Sequence, residues 1–76
     1  MRLNAKRRKR LKEVQDHISI AVSVLEDVID DEQDSLDNTP ENLQDSEAYC
    51  KKEDDLDEMR DALDDLKSAQ ETISSI

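Results

Sequence analysis

The sequence predicts an all-α fold: an antiparallel, coiled-coil-like two-helix hairpin that pairs into a dimeric four-helix bundle. Three observations carry this. The 76-residue chain has no glycine and one proline, Pro40, near its middle. Apolar residues recur at helical spacing on both sides of that proline. Charge is also divided along the chain. Residues 1–12 hold seven Lys or Arg and no acid, whereas residues 13–76 hold all 21 acids and four bases. The expected object is a rod with a basic end and an acidic end.

At 100° per residue, Leu11, Val14, Ile18, Ala21, Val22, Leu25, Val28, Ile29 and Leu36 fall within an arc of about 120°. The a/d spacing reads 11, 14, 18, 21, 25, 28, and Val22, Ile29 and Leu36 widen it. Helix 1 is therefore expected over about 5–37, with a regular part, 11–36, roughly 40 Å long. The second stripe is Tyr49, Leu56, Met59, Leu63, Leu66 and Ile73, with Ala62, Ala69 and Ile76 on its shoulder. Its drift around the helix implies left-handed supercoiling. Helix 2 is expected over about 47–74.

Residues 38–46 form the connector. Thr39 before Pro40 and Glu41 reads as an N-cap with proline at the first helical position. Ser46 offers a second N-cap, with Glu47 favourable in the first turn. Leu43 is expected to tuck over the bundle end beside Leu36 and Tyr49. Folding back places Ile18 near Leu66, Leu25 near Met59 and Leu11 near Ile73. Residues 1–10 then project as a basic arm beyond the hairpin, which spans 11–76. The expected core is Leu25, Val28, Ile29, Leu56, Met59, Leu63 and Leu66.

Two helices cover each other along one line, yet Ile20 and Val24 lie outside the main stripe. Such a helix needs a further neighbour. Ile20 and Val24 are the expected dimer or partner interface, and a homodimer of hairpins is the economical solution. Acidity opposes assembly. Residues 26–65 hold 18 acids and three bases, Lys51, Lys52 and Arg60. Self-repulsion should weaken the compact state at low salt. Glu32 falls inside the apolar stripe, so either the bundle opens there, as a frayed and exposed tip, which is the favoured expectation, or Glu32 finds a cation.

Composition excludes several classes. Cys50 is the only cysteine, so no disulfide forms within the chain. A lone thiol and no signal-peptide core point to a reducing, cytoplasmic setting. No run approaches the ~20 apolar residues of a membrane span. Metal and cofactors are not expected: His17 has only Glu13 and Asp16 nearby, and no Glu stands three residues before it. The oxygen-rich run 30–37 lacks the glycine of a calcium loop. Cys50, beside Lys51 and Lys52, has no His or Asp to complete a triad. With no phosphate-binding loop and little room for a pocket, catalysis is not expected.

Two charged features remain. The basic arm (Lys6, Arg7, Arg8, Lys9, Arg10) suits nucleic acid phosphates, an acidic partner, or the acidic tip of another copy. No recognition motif or aromatic stacking surface accompanies it. The acidic half, about 28 Å long, carries one net charge per ~1.9 Å, close to the ~1.7 Å of duplex DNA. Asp27, Asp30, Asp31, Asp34, Asp54, Asp57, Glu58 and Asp61 would be its contact set for a DNA-binding protein.

The block Leu36-Asp37-Asn38-Thr39-Pro40-Glu41-Asn42-Leu43-Gln44-Asp45-Ser46-Glu47, followed by Met59 and Ala62-Leu63-Asp64-Asp65-Leu66, resembles a group of small, uncharacterised, acidic helical-hairpin proteins. These belong to bacteria, their phages and mobile elements. The shared signature is an N-x-P-E-N-L-Q-x-S-E connector, and the similarity covers roughly residues 25–75. Related sequences carry an apolar residue where this one has Thr39. The resemblance implies a two-helix fold in a bacterial or phage setting, and no activity.

The expected function is a small non-enzymatic protein-binding module acting through helical packing and an acidic surface. The expected partners are a second copy and another protein, with no membrane. One alternative is a phage-type inhibitor of a host defence, anti-CRISPR or anti-restriction-like, by acidic DNA mimicry. Another, less favoured, is a nucleic-acid-associated protein using the basic arm.

Overall fold

A computed structural model of the chain describes residues 4–76. Met1, Arg2 and Leu3 of the expected basic arm lie outside the described residues. Helix α1 runs Ala5–Asp37, a 3-10 turn follows at Glu41–Leu43, and helix α2 runs Glu47–Ser74. The two helices pack against each other as an antiparallel hairpin, 59 Å long and 17 × 13 Å across its Cα atoms.

Each helix starts where a side chain can satisfy a free backbone donor. The Asn4 side-chain oxygen accepts from the Arg7 amide at 2.9 Å, and the Ser46 hydroxyl accepts from the Tyr49 amide at 3.1 Å. Such caps each contribute about 1 kcal/mol. α1 stops because Pro40 disfavours helical backbone at the residue before it. The Asn38 amide closes back onto Asp34, and the Thr39 amide onto Leu36. Thr39 does not cap the next turn as expected. Its hydroxyl donates backwards to the Ser35 carbonyl at 2.9 Å, so it seals the end of α1. Pro40 then precedes the 3-10 turn, which has no side-chain cap. Among the described residues none has positive φ, so the chain reverses without the conformation that glycine would supply.

Val22, Ile29, Leu36 and Leu56 are buried. Ile29, Leu36 and Leu56 form one cluster, bordered by Leu25, Tyr49, Met59 and Leu63. This core sits in the half of the rod nearer the connector. Towards the open end, Leu11, Ile18, Leu66 and Ile73 are half-buried. The seam that α2 covers therefore runs through 11, 15, 18, 22, 25, 29 and 36.

Three expectations need correction. Val28 is not core; it is 41% exposed, because α2 covers the side of α1 that carries Val22 and Ile29. Leu43 does not tuck over the bundle end. It is exposed beside a shallow depression at the tip, which it lines with Pro40 and Tyr49. The tip is not frayed at Glu32 either: α1 continues past it to Asp37, and Glu32 is half-buried.

Candidate functional site

The two long sides of the hairpin differ. One is closed by polar contacts between the helices. Gln15 Nε2 donates to Ser74 Oγ at 2.9 Å, and Gln70 Nε2 donates to Ser19 Oγ at 2.8 Å. Arg60 donates to the Gln33 side-chain oxygen at 2.6 Å. Lys67 and Glu26 form an ion pair at 3.9 Å. Gln15, Ser19, Glu26 and Gln33 all project from one flank of α1, as 100° per residue requires; on the other flank, close to the tip, Lys52 Nζ donates to Ser35 Oγ at 3.0 Å.

The opposite side is open and apolar. On α1 it holds Val14 (44% exposed), Ile20 (64%), Val24 (56%) and Val28 (41%). Ala21 is exposed between them, and Ala62 and Ala69 of α2 are exposed on the same side. Val14, His17, Ala21, Val24 and Val28 recur at spacings of three and four. They form a second heptad seam beside the one that α2 covers. Arg10 precedes this seam by one step and Asp31 follows it. At its N-terminal end lies an open depression lined by Arg7, Arg10, Leu11, Val14, His17 and Ile18. His17 is exposed, and its Nδ1 donates to the Glu13 carbonyl at 2.6 Å.

Ile20 and Val24, expected as interface residues, both face solvent. Sequence reasoning missed Val14, Ala21 and Val28 as members of that surface by assigning them to the intrachain stripe. The signal was present: the spacing 14, 17, 21, 24, 28 is a complete seam by itself.

The eight expected acidic contacts are all exposed, and the structure divides them. Asp27, Asp30, Asp31 and Asp34 form an i, i+3, i+4, i+7 row on the outer face of α1. Asp54, Asp57, Glu58 and Asp61 form the same row on the outer face of α2. Neighbours within a row stand ~5–6 Å apart, and the two rows face away from each other. Arg60 approaches Asp57 at 4.0 Å. Lys51 binds Asp55 at 2.6 Å, outside both rows. That hydrogen bond, and then the charge of Asp55, raise the Lys51 pKa above its ordinary value.

Lys6, Arg7, Arg8, Lys9 and Arg10 lie within the first two turns of α1 and are exposed. No acid lies in the first turn of α1 and no base in its last turn. Its terminal charges thus oppose its own macrodipole at both ends.

Cys50 is exposed. Among the described residues, no group of three or more His, Cys, Asp or Glu is placed to hold a metal ion. No helix among them is long and apolar enough to cross a membrane. No protein family, curated protein or solved structure matches the chain.

Proposed function

We propose that this chain is a small non-enzymatic protein-binding module of bacterial or phage origin that works through its open apolar face. The observation that carries the reading is the second seam of α1, Val14, Ala21, Val24 and Val28, exposed along one side of a hairpin whose other side is closed. Helix-in-groove and helix-on-helix recognition use anchors at this spacing. The test is capture from a bacterial host lysate at low and high salt, with the wild-type chain and Val24→Asp as bait. Wild type is expected to retain a specific protein at both salt concentrations, and the variant, equally helical by circular dichroism, to lose it. Equal capture by both baits would overturn the reading.

The two carboxylate rows support a second reading, an inhibitor that occupies the DNA-binding groove of a host defence protein. Duplex phosphates are also presented on two sides of a rod. Binding of this kind should weaken steeply as salt rises. Neutralising Asp27, Asp30, Asp31 and Asp34 together should abolish inhibition of such a protein, and unchanged inhibition would sink this alternative.

A further inference from the structure

We propose that the open face is covered by a second copy of this chain, packed antiparallel with α1 against α1 and the two-fold axis beside Ala21. This deepens the reading above and rests on the open face being an interaction surface.

The seam of α1 reads nearly the same in both directions about Ala21. In an antiparallel pair, Val14 meets Val28 of the second copy, and His17 meets Val24 of the second copy. Ala21 meets itself, where a small side chain lets the helices approach closely. An isologous interface needs this self-complementarity. The ends of the seam carry opposite charge. Arg10 comes opposite Asp31 and Glu32 of the second copy. Within one chain these groups cannot meet, because 22 residues of helix hold Arg10 and Glu32 about 33 Å apart. Among the described residues, the side chains of Arg7, Arg10, Asp31 and Glu32 form no ion pair. Glu32 is half-buried in that state.

The helix dipole supplies an independent argument. Cations at the N-terminus of α1 and acids at its C-terminus each destabilise an isolated helix. An antiparallel copy sets the acidic end of one α1 beside the basic end of the other and offsets both penalties. A parallel pair would stack Arg10 on Arg10 and Asp31 on Asp31, with neither penalty relieved. On α2, Ala62 and Ala69 flank the same open side. The Ser19–Gln70 and Glu26–Lys67 contacts set Ala21 level with the stretch of α2 that carries Ala69. The second copy of α2 can therefore close on that flank, which completes a four-helix bundle.

A charge swap tests the arrangement by sedimentation equilibrium of the full chain. Wild type is expected at twice the 8.7 kDa chain mass. Arg10→Glu and Glu32→Arg should each weaken the dimer about tenfold, since each breaks two symmetry-related pairs. The double variant Arg10→Glu/Glu32→Arg should restore wild-type affinity, with helicity unchanged throughout. A double variant no tighter than either single one overturns the antiparallel register. A monomeric wild-type chain overturns the self-pairing altogether. If that monomer still loses its captured protein on Val24→Asp, the interaction-surface reading survives; if capture is unaffected, both fall.

Discussion

The two apolar seams of α1 share one helix and differ in what covers them. The seam through Val22, Ile29 and Leu36 is buried beneath α2, while the seam through Val14, Ala21 and Val28 meets water. The difference lies in the flanks. Along the rim of the covered seam stand Gln15, Ser19, Glu26 and Gln33, each bonded to a polar group on α2. The open one carries Val24, with Ile20 beyond it, and these have nothing polar to offer. A helix pair thus closes on the side where its rim can be satisfied by hydrogen bonds. It leaves open the side where, away from the Lys52–Ser35 bond at the tip, only apolar contact would serve.

The sharpest way to break this comparison is to truncate sequence neighbours on the two seams. Leu56→Ala, at a residue only 2% exposed, and Ile29→Ala, at one 7% exposed, should each cost about 2–4 kcal/mol. In so thin a core either loss should shift much of the thermal melt to lower temperature. Val28→Ala, one residue from Ile29, should cost under about 1 kcal/mol in the monomer. Equal losses at Ile29 and Val28, measured below the concentration at which copies associate, would erase the distinction between the seams. Ser46→Ala should cost about 1 kcal/mol by removing the acceptor for the Tyr49 amide. Chemical denaturation can read that loss directly.

The smallest effect is expected at Lys51. Its pKa is raised, so whatever its pairing with Asp55 contributes is fully present below the ordinary lysine pKa and is lost only as pH rises through the folded value. No pH dependence from this pair should therefore appear near neutrality. Lys51→Ala should leave the melt unchanged, as is usual for an exposed pair on one helix. A measurable drop would show that the outer faces contribute more than the rim contacts suggest.

The helix limits were legible because no glycine interrupts them and one proline stands between them. The Ser46 cap was equally legible from its place before Glu47. The open face was visible only through Ile20 and Val24. Two stripes overlap on α1, both containing Leu11, Ile18 and Leu25, and periodicity cannot choose between them. Val14 makes the first look better, while the polar Gln15 interrupts the second. Packing chose the second because it carries the bulkier Ile29 and Leu36, and because Gln15 finds Ser74 across the rim. Thr39 misled for a related reason. Its hydroxyl had two backbone partners within reach, and the closing turn of α1 took it.

The shape has a consequence for motion in solution. A rod 59 Å long and 17 Å wide tumbles end over end far more slowly than it spins about its long axis. Nearly every amide vector of the two helices lies along that axis. Their nuclear relaxation will report the slow rotation almost uniformly, and will give a correlation time longer than a sphere of the same mass allows.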